Sequence, residues 1–166
     1  IKTLKEAGIF IDIPEPHDTL EQNATEKSSV IYNLIKSDCF SEDTGLETDA
    51  LTGEPGVKSA RYADDGAFDN NIDKLLCNLK GKENRNAQFK TIISLMFRGK
   101  EYKFEGVCKG IIIACRRGQN GFGYDAVFMP EGSDKTFAEM DMKEKNIYSH
   151  RRKAVEKLSE FLEKHL

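Results

Sequence analysis

Two adjacent acids, Glu42 and Asp43, follow the short apolar step Cys39-Phe40 and lead into Thr44-Gly45. Neighbouring residues of a strand point to opposite faces, so only one of the two needs to face a cleft. Carboxylate oxygens suit hard divalent cations, and Mg²⁺ is usually held by one or two carboxylates together with phosphates. A cationic group stands far off in the sequence. Ser149 is a good helix N-cap, and His150, Arg151, Arg152 and Lys153 follow it directly. A helix N-terminus is already positive and favours acids, so a cationic first turn opposes the local field. Such departures often mark functional sites, because free N–H groups beside cations can hold an anion or a carbonyl-type acceptor. A solvated surface charge run fits the same residues. Lys143 and Lys145 extend the basic cluster. An acidic strand end beside a basic helix start is what a Mg²⁺-polyphosphate site requires.

Two further groups carry potential chemistry. Asn23 and Lys27 are four residues apart and share a helix face, which continues into the apolar Val30, Ile31 and Leu34. Polar groups at the end of such a stripe line a cleft, or they form an exposed first turn with Lys27 reaching into water. Spacing fits both readings equally. The run GFGYD, Gly121 to Asp125, places Phe122 and Tyr124 among glycines. Aromatics on such a loop can stack a flat ring such as a base. Core aromatics flanking a tight turn give the same pattern, and taken alone that is the better reading.

The elements that must position these groups follow from periodicity. Residues 19–37 read as a helix, with Thr19 and Gln22 at capping-box spacing and Val30, Ile31, Leu34 and Ile35 at helical spacing. Residues 39–42 read as a short strand ending in a sharp turn on Gly45. Glu54-Pro55-Gly56-Val57 has the residues of a type II turn, and residues 69–79 read as a second helix. Along 87–97, Phe89, Thr91, Ile93, Leu95 and Phe97 share one face of a long strand. A turn at Arg98-Gly99-Lys100 makes it a hairpin. Ile111 to Ile113 reads as a further buried strand, and Ala126 to Phe128 as a short one after the glycine-rich loop. The final helix, about 149–165, carries Ala154, Val155, Leu158, Phe161 and Leu162. Helices with a mainly non-local sheet give a mixed α/β class.

Composition bounds the function. A chain of 166 residues with 32% charged and 39% apolar residues has a globular balance and fits one domain. A formal charge of −3 argues against broad nucleic-acid binding. No apolar run is long enough for a membrane span, and the opening IKTLKEAGIF has no signal-peptide core. Cys39, Cys77, Cys108 and Cys115 form no C-x-x-C pair and stand apart from the three histidines. They read as reduced thiols of a cytosolic protein rather than as a zinc site.

From about Glu15 to Leu162, three ordered segments resemble the inosine/xanthosine triphosphate pyrophosphatases. SEDTGLETDALTGEPGVKSARYA is similar to that family's D-[ST]-G-L and P-G-x-x-S-A-R-Y motifs. GFGYDAVFMPEGSDKTFAEM is similar to its G-F-G-Y-D-P-x-F segment, and EKNIYSHRRKA to its E-K-N-x-x-S-H-R-x-x-A. Three long motifs in order are a specific signal. The resemblance implies an elongated central mixed sheet with flanking helices and two lobes around a cleft. It implies cleavage of non-canonical purine nucleoside triphosphates (ITP, XTP, dITP) between the α and β phosphates, with Mg²⁺, or alternatively Mn²⁺, as the metal. It implies a homodimer. It assigns Asp43 as the metal-linked acid that activates water, and Glu15, from EPHDTLEQNA, as its metal-binding partner. Lys27 would reach the phosphates and Thr44 the substrate. Phe122, Gly123, Tyr124 and Asp125 would hold base and sugar, with Phe122 stacking. Lys145, His150 and Arg151 would read the purine. On this reading Gly45 lets the chain turn away from the metal.

Some positions depart from the family pattern. Ala126 stands where a Pro is usual, and Pro16-His17 replaces a more usual Thr and small residue. Family members open with a strand and a [ST]-x-N-x-x-K phosphate loop, and Ile1 follows after the place of that opening. A nucleotide-binding remnant without turnover is therefore the second reading. A pyrimidine triphosphatase of the septum-inhibitor type is a third, against which the S-H-R segment speaks. A structural domain with cleft-like loops is a fourth, which three ordered motifs disfavour.

Overall fold

The structure, a computed structural model, describes residues 1–64 and 67–166. Helix α1 (Leu20–Ile35) precedes strand β1 (Cys39–Thr48), the two-residue strand β2 (Pro55–Gly56) and helix α2 (Phe68–Asn78). Strands β3 (Asn86–Phe97) and β4 (Lys100–Ile112) form the long hairpin, followed by β5 (Phe128–Pro130), α3 (Met142–Tyr148) and α4 (His150–His165). The strands form one sheet in the order β2-β1-β3-β4-β5. The mixed α/β class expected from the sequence is present. Each described strand pairing is antiparallel, so the sheet is not mixed in direction. The β3–β4 hairpin makes its central pair antiparallel. That hairpin turns on Arg98 and Gly99 at φ 49° and 79°, the positive values that a two-residue turn between twisted strands requires.

Local signals set the helix starts. The Thr19 hydroxyl accepts the Gln22 N–H at 3.2 Å, while the Gln22 side chain takes the Thr19 hydroxyl instead of its backbone N–H. Lys36, left-handed at φ 52°, ends α1. Ser149 both ends α3 and caps α4, accepting the Arg152 N–H at 3.2 Å. Helix α3 went unread in the sequence although Asp141 and Glu144 form a complete capping box at its start.

Four expectations change. β1 runs ten residues, paired with β3 from Cys39↔Met96 to Thr48↔Ala87, and does not turn on Gly45. Gly45 is there because β2 passes close by: a Cβ would lie 2.5 Å from the Gly56 carbonyl oxygen. The reverse turn after Glu54 closes one residue later than expected, with the Lys58 N–H on the Pro55 carbonyl at 3.0 Å. Residues 111–112 belong to β4, whose pairing with β3 reaches Ile111, and Ile111 is exposed. The last strand begins at Phe128 because the Val127 and Phe128 N–H groups bond back to the Tyr124 carbonyl.

Helices cover both faces of the sheet centre. On one face Leu20 and Ala24 of α1 pack with Ile92; on the other Ala154 and Leu158 of α4 pack with Ile93, Leu95 and Phe97. Ile92 on one face of β3 and Ile93, Leu95 and Phe97 on the other are thus buried within this chain, whereas Met96 is partly exposed. A larger core lies towards the other end of the strands, joining Leu46, Phe89 and Ile112 to Leu75, Phe128 and Phe137. Gly106 on β4 lets α4 dock, since a Cβ there would collide with the His150 carbonyl oxygen. Not all expected stripe residues are buried: Leu34 is exposed, and Val155 is half-exposed beside the pocket described next.

Candidate functional site

Among the described residues β2 pairs with β1 only at Leu46 and Glu47, so β1 has no strand partner on that edge over residues 41–44. Alternation then sends its side chains to two faces. Asp43 faces α1. There the Lys27 ammonium donates to Asp43 Oδ1 at 2.9 Å and to Glu15 Oε1 at 2.7 Å. One cation from α1 thus holds two carboxylates from two other segments, the residues before α1 and β1. Burial alone would lower the Lys27 ammonium, but Glu15 and Asp43 outweigh it and hold it above its usual value. Burial raises the Asp43 carboxyl above the ordinary range, with the Glu15 charge adding to the rise and Lys27 opposing it. Among the described residues no three His, Cys, Asp or Glu side chains gather to hold a metal.

Glu42 and Thr44 face α4. The Thr44 hydroxyl lies 2.7 Å from that of Thr91 and donates to Glu42 Oε2 at 3.2 Å. Glu42 in turn pairs with Arg151 at 3.3 Å. A cavity of about 520 Å³ opens beside them, lined by Thr44, Phe89, Phe122, Tyr124, His150 and Arg151 among others. Phe122 is half-exposed, with Lys145 Nζ 5.3 Å and the Arg151 guanidinium 5.5 Å from its ring centre. Asp125 Oδ2 fixes the loop by accepting the Lys145 ammonium at 2.6 Å and the Phe122 N–H at 3.0 Å. Gly121, Gly123 and Asp125 complete this wall. Tyr124 is buried, donates its hydroxyl to the Ser59 carbonyl at 2.7 Å, which anchors the loop, and lines the cavity.

His150 departs from the cationic first turn expected of α4. It is 7% exposed and stacks on Phe89 with centroids 4.8 Å and planes 10° apart. Burial, and then the positive charges of Arg151, Lys145 and Lys153, push it down to about 3. The ring is neutral, and its buried Nδ1 has no hydrogen-bond partner among the described residues. The other charges of that turn are matched. Arg151 pairs with Glu42, Arg152 with Glu156 at 2.6 Å, and Lys153 donates to the Val107 carbonyl at 2.8 Å.

Every site residue expected from the sequence therefore falls into one of two groups. Glu15, Lys27 and Asp43 meet on the α1 face, and Thr44, Phe122 to Asp125, Lys145, His150 and Arg151 gather on the α4 face. Glu42, the alternative to Asp43, belongs to the second group. Sequence reasoning missed Ser59 and Phe89. The Ser59 hydroxyl accepts the Leu46 N–H at 2.8 Å and donates to the Gly56 carbonyl at 2.6 Å, joining β1 to the loop after β2. The P-G-x-x-S-A-R-Y match was its signal. Phe89 had none, because a pocket aromatic on a strand reads as core.

A carboxylate–ammonium cluster on one side of a strand edge and an aromatic, cation-flanked cavity on the other define a site for a ligand with an anionic part and a flat ring. The Ham1 family profile matches residues 1–161. The chain is 50% identical over 163 residues to a dITP/XTP pyrophosphatase of Flavobacterium johnsoniae, covering 98% of this chain and 85% of that one. It is 48% identical to the dITP/XTP pyrophosphatase of Flavobacterium psychrophilum, covering 97% of this chain and 85% of that one. The structure of the Staphylococcus aureus Ham1 protein superposes with a TM-score of 0.92 at 38% identity, covering 98% of this chain and 85% of that one. The chain belongs to the Ham1 family, which bears out the resemblance read from its motifs.

The buried neutral His150 makes stability depend on acid. An unfolded histidine takes up a proton near 6.5, whereas the folded one does so only near 3. Its contribution is intact above 6.5 and is lost as pH falls towards 3. Between pH 7 and pH 4 the wild type should lose roughly 3 kcal/mol more than His150→Phe, at about 1.36 kcal/mol per pH unit. Urea unfolding of both proteins at the two pH values checks this; equal losses would mean that His150 is not held neutral.

Proposed function

We propose that this chain hydrolyses non-canonical purine nucleoside triphosphates, ITP, XTP and dITP, to the monophosphate and pyrophosphate. The observation that carries the proposal is the Lys27 bridge between Glu15 and Asp43, one residue along β1 from the cavity lined by Thr44. A triphosphate crossing the open edge of β1 would place its phosphates by Lys27 and its base by Phe122. The names of the Flavobacterium relatives and the similarity of the whole chain to them support this reading.

The donor set suits a divalent cation brought with the substrate. Both carboxylates lie within 2.9 Å of one point, the Lys27 nitrogen, and two carboxylates with phosphate oxygens are a usual Mg²⁺ environment. Glu15 and Asp43 would hold the ion. When bound, it neutralises phosphate charge and makes water more acidic. Lys27 then turns to the phosphates and stabilises charge that grows in the transition state. Asp43 accepts the proton of the attacking water at a carboxylate oxygen. Burial raises the Asp43 carboxyl above the ordinary carboxylate range, which makes it a stronger base than a free aspartate.

Base selection falls to the α4 face. Hypoxanthine and xanthine present a 6-keto acceptor where adenine presents an amino donor. Arg151 offers only donors, and a neutral His150 offers one donor and one acceptor. The amino donor of adenine would leave the Arg151 donors unpaired, which is how a polar site discriminates strongly, whereas a neutral His150 can pair with either group. Phe122 supplies a face for the ring, and Lys145 stays with Asp125 to hold the loop.

Pyrophosphate release from inosine, xanthosine, guanosine and adenosine triphosphates tests the reading directly. Asp43→Asn keeps the shape and should lose turnover far more than binding; near-normal turnover would make Asp43 structural. Arg151→Ala should raise KM for inosine triphosphate and narrow its advantage over adenosine triphosphate by about 1.5–3 kcal/mol, as for a hydrogen bond to a charged group. Because Arg152 is tied to Glu156, Arg152→Ala should leave that advantage in place. If the two arginine variants behave alike, base selection lies elsewhere.

A further inference from the structure

The first turns of α1 hold a second polar group beside Lys27. Asn23 lies one turn before it and is only 1% exposed. Its Oδ1 accepts the His17 N–H at 3.0 Å, and its Nδ2 donates to the His17 carbonyl at 3.2 Å. One side-chain amide therefore closes a two-point clasp on one backbone residue, as a neighbouring strand would. Residues 9–18 have no helix or strand of their own. Glu15 stands two residues before the clasp and meets Lys27 at 2.7 Å. Packing does not account for an asparagine here. Burying an amide costs free energy unless its groups are paired, and the next buried residue on α1 is the apolar Ala24.

We infer that Asn23 is the positioning residue for Glu15: it holds residues 15–17 against α1 so that Glu15 and Asp43 face one cation, and so sets the affinity of that pair for a divalent cation. The inference rests on the proposed role of Glu15 and Asp43 as a cation-binding pair. Groups that orient metal ligands typically change metal affinity by about 10- to 100-fold when removed.

The test compares Asn23→Ala with Ile31→Ala, which removes a buried side chain two turns further along α1. Two quantities are read by NMR: hydrogen exchange of the His17 amide, and the Mn²⁺ concentration that half-broadens the amide signals of residues 15–17 and 43–44. Asn23→Ala should speed His17 exchange well beyond any change in global unfolding. It should raise the Mn²⁺ midpoint by about 10- to 100-fold. Ile31→Ala should lower thermal stability and do neither. Asn23→Leu, close in size and apolar, should give the same two shifts and serves if the alanine variant does not fold. Unchanged His17 protection, or a Mn²⁺ shift no larger than that of Ile31→Ala, would overturn the inference. A wild type whose signals Mn²⁺ does not broaden, or whose midpoint Glu15→Gln leaves unmoved, would instead sink the cation reading of the pair, while His17 exchange still decides whether Asn23 holds the segment.

Discussion

The Lys27 ammonium is the contact on which the site depends. It holds Glu15 at 2.7 Å and Asp43 at 2.9 Å, and so ties a segment without regular structure to α1 and β1. Two carboxylates this close would repel one another without it, and a partly buried charge needs a partner to offset its desolvation. The arrangement also has a functional sense under the proposed reading. Glu15 and Asp43 would hold a divalent cation, and Lys27 would serve the phosphates.

The rest of the fold serves to bring a second chemistry beside that contact without mixing the two. β1 runs straight past Asp43 because β3 pairs it along its whole length. Among the described residues its other edge has no strand partner over residues 41–44, because β2 is only two residues long. Side-chain alternation then separates Asp43 from Glu42 and Thr44 by the thickness of one strand. Gly106 lets α4 approach until His150 lies on Phe89, and Ser59 joins β1 to the loop after β2 while its carbonyl takes the Tyr124 hydroxyl. Two of the charges of α4 that looked unfavourable in isolation find a partner from elsewhere, Glu42 for Arg151 and the Val107 carbonyl for Lys153, while Arg152 pairs with Glu156 on α4 itself.

Legibility in the sequence followed the range of the cause. α1, the β3–β4 hairpin and α4 were readable because caps, alternation and helical spacing are local. Gly45 was misread as a turn because its reason is the passage of Gly56, eleven residues on, which no local rule contains. The neutral state of His150 was equally hidden, since burial against Phe89 comes from β3. α3 had its capping signal in Asp141 and Glu144, but its half-exposed helix lacks a clear apolar stripe. Lys27 and Asn23 were visible as a polar pair on a core-facing stripe, yet spacing could not decide between cleft and surface. Glu15 entered only through the family motif, because nothing local distinguishes it from the other acids of a loop.

The central claim is that one ligand crosses the edge of β1 and touches both faces. Titrating isotope-labelled Asp43→Asn protein with inosine triphosphate and Mg²⁺, followed by amide chemical shifts, tests it most directly. A single crossing ligand requires that signals of the 15–27 region and of residues 122–125 and 145–151 move together, with one dissociation constant, and that Thr44 between them moves as well. Shifts confined to one face, or two sets with different dissociation constants, would show that the carboxylate cluster and the aromatic cavity do not share a substrate.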